Sequence, residues 1–188
     1  MDREKWSEFI ERCHQCVKCG LSLTRNHVVI GRGNPETAKI IFIGEGPGEQ
    51  EDLTGIPFVG PGGKLLDLLL SALRFHEEDY YIANIVKCRP PGNRDPHQEE
   101  ITTCIPWLRW QVRAIQPAII VCLGRIAAIT IIDKDCKITK ARGTWLVKGD
   151  YHIMPTWHPA AVLRDPDKKI SWFDDMKKVK QKLDEISR

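Results

Sequence analysis

The sequence predicts a three-layer α/β/α sandwich built on a central four-stranded, mostly parallel sheet. Short apolar runs rich in β-branched and aromatic residues alternate along the chain with segments of helical periodicity. The runs are nearly continuous rather than alternating, which is typical of strands that are buried on both faces. Polar residues follow several of these runs, at the edge of a parallel sheet where ligands usually bind.

Four apolar runs are predicted as strands because Gly, Pro or polar residues bound each of them. They cover residues 39–43, 80–86, 118–123 and 151–154.

The segments between and after these runs are predicted as helices. Residues 64–74 form a leucine-rich helix with a narrow polar stripe, and residues 98–115 and 125–132 form two more. We expect Pro106 to kink or interrupt the second of these helices. The end of the chain predicts an amphipathic helix that docks through one apolar face, which consists of Trp172, Met176, Val179, Leu183 and Ile186.

Length and composition predict an ordinary globular protein, with a single domain over residues 1–188. The net charge of +3 permits nucleic-acid binding without requiring it. The first residues lack the apolar segment of a secretory signal, and no run approaches the roughly 18 apolar residues of a membrane span. We therefore expect a cytoplasmic protein whose seven cysteines stay reduced and serve a metal rather than disulfides.

The spacing of five cysteines predicts a metal site. Cys13, Cys16 and Cys19 lie near the start of the chain, and Cys88 and Cys104 follow far along it. A Cys-x-x-Cys pair completed by distant cysteines builds a four-thiolate site, for either zinc or an iron–sulfur cluster. Spacing alone does not choose between these two metals.

Candidate site residues follow three of the predicted strands. Gly44, Glu45 and Gly46 allow a flat ligand to approach the backbone and offer a carboxylate, although a tight acidic turn explains them equally well. Asn84 lies in an apolar strand and presents a C=O beside an NH₂, which matches a pyrimidine edge, or it caps a loop. His158 lies between a strand end and a proline, which fixes its direction.

A glycine- and proline-rich segment containing Phe58 precedes the leucine-rich helix. The ring is either a surface on which a base stacks or an aromatic plug of the core.

Taken in order, these motifs resemble the family 4 uracil-DNA glycosylases, which are the iron–sulfur members of the uracil-DNA glycosylase superfamily. The matching segments are residues 44–49, 55–60, 84–91 and 158–160, and the resemblance extends from about Cys16 to Arg164. It implies the fold of that superfamily and a monofunctional enzyme of base excision repair. Such an enzyme flips deoxyuridine out of DNA and hydrolyses its N-glycosidic bond, leaving an abasic site.

The resemblance also implies a [4Fe–4S] cluster. Its ligands would be Cys16, Cys19, Cys88 and Cys104. The first pair is favoured over Cys13 because the family's pair lies just ahead of a Leu and an Arg, here Leu21 and Arg25. We expect the cluster to tie the N-terminal segment to the loop between the last two ligands rather than to carry electrons.

By the same resemblance, the uracil pocket has Gly44, Glu45 and Gly46 along one wall and Phe58 stacked on the ring. Asn84 reads the pyrimidine edge, and His158 faces the uracil atom O2. Glu45 is the first candidate for the residue that activates water, and Glu51 is the second. The catalytic residues would thus be Glu45, Asn84 and His158.

The DNA contacts implied by the resemblance lie outside this pocket. Arg89 and Arg94 belong to the loop between the later cysteines and meet phosphates. Leu163 is the wedge that enters the minor groove, and Arg164 contacts the backbone. The partner is uracil-containing DNA, and we expect a monomer that does not bind membranes.

Two other functions fit parts of the pattern. A uracil-trapping relative that bonds covalently to DNA carries a basic, His-bearing insertion near the second motif, and residues 87–98 offer only His97. A noncatalytic iron–sulfur or zinc module that binds nucleic acid would keep the cysteines and the basic loops. It has no need for Asn84 and His158 at the strand ends.

Overall fold

The computed structural model describes residues 3–187, so the first two residues and the last residue of the predicted domain lie outside it. Its α-helices are α1 (Arg3–His14), α2 (Glu49–Thr54), α3 (Pro61–Ala72), α4 (Gln98–Ile115), α5 (Arg125–Ile131), α6 (Ile138–Ala141), α7 (Pro159–Arg164) and α8 (Lys168–Ile186). Its strands are β1 (Arg32–Gly33), β2 (Ile40–Gly44), β3 (Tyr80–Asn84), β4 (Ile119–Leu123), β5 (Leu146–Lys148) and β6 (Tyr151–Thr156).

The strands form one mixed sheet in the order β1-β3-β2-β4-β6-β5. The four predicted strands are its parallel centre, which confirms the predicted fold class. Two short antiparallel strands, β1 and β5, were not predicted and lie at the edges. They are only two and three residues long, and every residue of β5 is exposed, so neither has a buried apolar pattern.

The register brings the ends of two neighbouring strands together, since Gly44 of β2 pairs with Asn84 of β3. Strand β3 ends at Asn84 instead of continuing to residue 86 as predicted. The amides of Ile85 and Val86 donate to the carbonyl oxygens of Gly44 and Glu45, at 2.9 and 3.1 Å. The segment after β3 is therefore held against the loop after β2.

The sheet is covered on both faces, as predicted for a three-layer sandwich. Apolar residues of α1, α4 and α5 pack on one face, and those of α3 and α8 pack on the other. Helix α1 docks through aromatic contacts, since the rings of Phe9 and Trp110 stack with centroids 4.1 Å apart. The docked C-terminal helix is confirmed, except that Ile186 is 37% exposed because the last turn extends past the core.

Helix α4 has the predicted bounds but is not interrupted at Pro106, so an interruption was the wrong expectation there. This proline lies on the exposed side of the helix, where water can bond the carbonyl oxygen of Thr102 that lacks an amide partner. Among residues 3–187, no helix is both long and apolar enough to cross a membrane.

Candidate active site and metal centre

A cleft of about 1000 Å³ opens beyond the carboxyl ends of β2, β3 and β6. The predicted residues Glu45, Gly46, Phe58, Asn84 and His158 all line it. They come from distant parts of the sequence and meet because parallel strands end at the same edge of the sheet.

Asn84 presents an unpartnered acceptor at this edge. Its side chain is 1% exposed, and within the described chain its Oδ1 atom has no hydrogen-bond partner. The neighbouring Gly44 leaves room for it, because a Cβ atom there would lie 2.5 Å from Oδ1 and 2.6 Å from Cζ of Phe58. A buried carbonyl without a donor is costly, so this site is suited to a ligand that brings an N–H group.

Phe58 is held in an uncommon backbone conformation, with φ of 56°. The carboxylate of Glu51 fixes this turn, since it accepts hydrogen bonds from the amides of Val59 and Gly60 at 2.9 and 2.7 Å. The same carboxylate accepts from the amide of Gly48 at 3.1 Å. Glu51, the second candidate for water activation, is thus engaged by three backbone amides and shapes the pocket instead.

His158 caps the N-terminus of α7 and is oriented by that helix. Its Nδ1 atom accepts a hydrogen bond from the amide of Ala160 at 3.2 Å, so the ring proton resides on Nε2. Burial lowers the pKa of His158 to about 4, and the charge of Arg164 adds to this shift. The imidazole is therefore neutral near pH 7 and carries one N–H donor. Its ring centroid lies 5.7 Å from that of Phe58.

Glu45 is partly buried at the wall of the cleft. Burial raises its pKa to about 7, and the neighbouring carboxylate of Asp95 contributes to the shift, while Arg125 and Arg164 oppose it. Asp95 itself forms an ion pair with Arg125. No sequence motif points to Asp95 or Arg125, which reach the cleft from a loop and from the start of α5.

The four residues predicted to contact DNA lie near the cleft, but their side chains differ in exposure and in hydrogen-bond partners. Leu163 is 44% exposed, and Arg164 lines the cleft. The Arg89 Nε atom donates to the Oδ1 atom of Asn93 at 2.8 Å. Arg94 donates two hydrogen bonds to the carboxylate of Glu100, at 2.7 and 2.8 Å, so its charge is already paired.

Two further basic residues line the cleft and were not predicted as site residues, Lys64 at the start of α3 and Lys168 at the start of α8. The Lys168 ammonium lies 5.3 Å from the ring centre of Trp157, whose Nε1 atom donates to Ser171 at 2.9 Å. No motif marks these lysines, because they lie on helices that only the fold brings to the cleft.

The five candidate metal ligands converge on a second, smaller cavity at another corner of the molecule. Cys13 lies in the last turn of α1, Cys16 and Cys19 follow that helix, Cys88 lies after β3, and Cys104 lies in α4. The structure thus brings Cys13 to the same place as the four predicted ligands, where it is 1% exposed.

Donors surround these thiols. Arg25 donates from one Nη atom to the Cys88 sulfur at 3.3 Å and to the Cys16 carbonyl oxygen at 2.7 Å. The Lys87 amide donates to the Cys104 sulfur at 3.2 Å. Burial raises the pKa of Cys104 to about 11, and the Lys87 charge opposes this shift. Metals bind the thiolate form, which such donors stabilise.

The chemistry of this corner is that of a thiolate metal site, because five cysteines line one cavity. Within residues 3–187, no three His, Cys, Asp or Glu side chains are already placed to hold a single metal ion. Four cysteine thiolates are the ligands of both zinc and iron–sulfur clusters. The donor set is therefore compatible with a cluster.

A separate network holds the strand end that leads to His158. The buried carboxylate of Asp175 accepts hydrogen bonds from the Thr156 hydroxyl at 2.6 Å and from Arg142 Nε at 2.8 Å. Arg142 also forms an ion pair with it. This network connects the end of β6 to α8 without any cysteine.

A mixed sheet whose parallel strands end at a cleft lined by polar side chains places this chain among the α/β proteins that bind a ligand at the strand ends. The sequence model of the Uracil DNA glycosylase superfamily matches residues 30–183. A type-4 uracil-DNA glycosylase of Thermotoga maritima is 44% identical over 185 residues, which cover 95% of each chain.

Two further relatives carry the same description. The type-4 uracil-DNA glycosylase of Archaeoglobus fulgidus is 42% identical over 187 residues, covering 94% of this chain and 92% of the relative. That of Saccharolobus solfataricus is 45% identical over 183 residues, covering 92% and 84%. The chain therefore belongs to the type-4 uracil-DNA glycosylases, a family known for iron–sulfur clusters.

Proposed function

We propose that this chain is a uracil-DNA glycosylase, which takes deoxyuridine flipped out of DNA and hydrolyses its N-glycosidic bond. The observation that carries the proposal is the buried, unpartnered Oδ1 atom of Asn84, in a pocket that also contains Phe58 and a neutral His158. Uracil fits this pocket because it is a flat ring that carries an N–H donor for the Asn84 Oδ1 atom next to a carbonyl acceptor.

Base recognition would rest on one side-chain amide. The Asn84 Oδ1 atom accepts from uracil N3–H, and its NH₂ group donates to O4, while Phe58 stacks on the ring. Gly44 and Gly46 form the wall that lets the ring approach the backbone. Cytosine places an NH₂ group where uracil has O4, so two donors would face each other and both would lose their partners.

Departure of uracil would depend on His158. As the bond between N1 and the sugar C1′ breaks, its electron pair moves to the base, and negative charge develops on O2. The neutral imidazole, held through its Nδ1 atom by α7, directs its Nε2–H group to that oxygen. A positioned donor of this kind contributes about 10²–10³ in rate.

Glu45 would activate the attacking water molecule. Above its pKa of about 7 the carboxylate accepts a proton from the water molecule whose oxygen attacks C1′. The new C1′–O bond completes the abasic sugar, and uracil leaves as an anion that later takes up a proton.

DNA would lie across the mouth of the cleft. Leu163 is the exposed apolar side chain beside it and enters the minor groove as a wedge, with Arg164 on the backbone. Arg89 and Arg94 offer their outer edges to phosphates, and their bonds to Asn93 and Glu100 keep them in place.

The metal group we propose is a [4Fe–4S] cluster on Cys16, Cys19, Cys88 and Cys104. When bound, it cross-links the N-terminal segment to the loop that carries Arg89. We also propose that the chain acts as a single-domain, cytoplasmic monomer.

The first experiment is release of free uracil from a uracil-containing oligonucleotide by anaerobically purified protein, followed by alkaline cleavage of the strand. Turnover with an alkali-labile site is the expected result. Asn84→Ala and His158→Ala should each lower the rate by about 10²–10³ while DNA affinity stays close to that of the wild type.

The matched control is His152→Ala, on the same strand as the segment that leads to His158 but outside the cleft. A stoichiometric protein–DNA adduct would favour the trapping function, and tight binding without product would favour the noncatalytic module. Either result overturns the proposed function, whereas wild-type rates of uracil release in both site variants would overturn the assignment of Asn84 and His158 to the site.

A further inference from the structure

A buried lysine lies between the thiol corner and the candidate uracil pocket. Lys87 is 1% exposed. Its ammonium donates to the Asn84 carbonyl oxygen at 2.9 Å and to the Gln111 side-chain oxygen at 2.6 Å. The Gln111 amide is itself anchored, since it donates to the Ile30 carbonyl oxygen at 3.0 Å. The ammonium is therefore fixed in position on both sides.

The charge of this ammonium has no carboxylate to balance it. Within residues 3–187, no Asp or Glu forms an ion pair with Lys87, and both of its acceptors are neutral. The two hydrogen bonds, to the Asn84 carbonyl oxygen and the Gln111 side-chain oxygen, are therefore what compensates the burial of the ammonium. A change that breaks either of them leaves a buried polar group without a partner, which is costly.

The backbone of the same residue connects the two sites. The Lys87 amide donates to the Cys104 sulfur at 3.2 Å, and its carbonyl oxygen accepts from the Val29 amide at 2.8 Å. Its side chain meanwhile bonds the backbone of Asn84, whose side-chain oxygen faces the pocket. One residue thus touches a proposed cluster ligand with its backbone and the base-reading residue with its side chain.

We propose that Lys87 is a positioning residue, which couples the cysteine corner to the orientation of Asn84 through its amide on the Cys104 sulfur and its side chain on the Asn84 carbonyl oxygen. The proposal rests on the proposed function for its catalytic consequence. While the Cys104 sulfur holds the Lys87 amide, the side chain stays on the Asn84 carbonyl oxygen and the turn from Asn84 to Cys88 is rigid. When the cysteine corner loosens, these hydrogen bonds are lost and the turn loosens with it.

The test compares Lys87→Met with wild-type holoprotein, because methionine keeps most of the volume and removes the charge. The matched control is Lys178→Met, which removes another lysine that donates to a backbone carbonyl oxygen, that of Gly143, and that lines neither the cleft nor the cysteine cavity. Iron content, cluster lifetime in air, residue-resolved hydrogen exchange, DNA affinity and the single-turnover rate of uracil release are measured on all three proteins.

We expect Lys87→Met to lower the single-turnover rate by about 10- to 100-fold, the effect of losing a hydrogen bond from a charged group. DNA affinity should fall far less than the rate, since Leu163 and Arg164 lie on another segment, α7, whereas a general loss of structure would weaken it as much. The cluster should bleach several times faster. The amides of Ile85 and Val86 should exchange faster, while those of β4 stay protected.

A Lys87→Met protein with full iron content, wild-type rate and wild-type exchange at Ile85 and Val86 would overturn the proposal. If the variant does not fold, hydrogen exchange is measured instead on wild-type protein whose cluster has been removed with an oxidant and a chelator. Unchanged exchange at these two amides would then refute the coupling, and faster exchange would support it. If wild-type protein releases no uracil, the proposed function fails, and the exchange and cluster lifetimes still decide the role of Lys87.

Discussion

The two strand ends that carry Asn84 and His158 are held by different chemistry. Beyond β3, Asn84 is tied through Lys87 to a corner of cysteines. Beyond β6, the segment that leads to His158 is tied through Thr156 to the buried carboxylate of Asp175. One side of the pocket is therefore tied to the cysteines for which we propose a metal group, and the other is held by an ion pair and a hydroxyl group.

The two sides of the pocket should therefore fail independently of each other. The cysteine corner joins segments far apart in sequence, so loss of the proposed metal group would free both the N-terminal segment and the loop before α4. The Asp175 network already has its opposite charge in Arg142, so it stays intact without metal. Perturbing each side separately should disturb one half of the pocket and spare the other.

The largest effect should come from removing one metal ligand. Cys16→Ser should lose most of its iron and expose the amides of residues 13–25 and 85–104 to hydrogen exchange, because structural metal sites contribute folding free energy directly. The amides of β4 and β6 should stay protected. Uracil release should fall with the iron content.

Two other cysteines serve as controls for this variant. Cys13→Ser tests the choice between the first two cysteines, and Cys136→Ser removes a thiol outside the corner. Both should keep full iron. Iron loss in Cys13→Ser with full iron in Cys16→Ser would reverse the ligand assignment.

The next effect should come from Asp175→Ala. This change leaves Arg142 without its carboxylate and should lower the free energy of unfolding by about 3–5 kcal/mol, the usual cost of breaking a buried ion pair. Urea denaturation measures it, with Asp174→Ala as the exposed neighbouring control. Iron content in the folded fraction should remain complete. A loss of less than about 1 kcal/mol would mean that the network does not brace β6.

The smallest effect concerns pH at the pocket wall between the two sides. Because the pKa of Glu45 is raised to about 7, the carboxylate is protonated below that pH, and the single-turnover rate should fall as pH decreases through 7. Asp95→Asn removes a neighbouring negative charge that raises this pKa. The midpoint should therefore move to lower pH, by about half a unit to one unit.

Ionisation of Glu45 should lower the free energy of unfolding, whereas it should raise the rate of uracil release. A carboxyl whose pKa is higher in the folded protein than the ordinary 4.5 favours folding at low pH, and that contribution is lost as pH rises through 7.

The control for the pH–rate profile of Asp95→Asn is Asp133→Asn, which removes an exposed carboxylate outside the cleft. A rate that does not change between pH 6 and 8 would exclude Glu45 as the residue that accepts the proton.

Local patterns in the sequence determined the central sheet and most of the candidate site. The four parallel strands are continuous apolar runs, and α3 and α4 follow leucine-rich or amphipathic periodicity, so neither required knowledge of the partner elements. Asn84 and His158 were found because polar residues that end apolar strands must face one edge of a parallel sheet. The cysteine spacing likewise predicted a shared corner.

The pairing of these residues could not be predicted from the sequence and follows from the fold. Glu51 binds three backbone amides, Arg94 is held by Glu100, and the Lys87 ammonium lies between the Asn84 carbonyl oxygen and the Gln111 side chain. The edge strands and the approach of Asp95 to Glu45 also came from the fold. The physical reason is that a side chain's partner and its pKa depend on which segments the topology packs against it, and these contacts leave no periodic signal in the sequence.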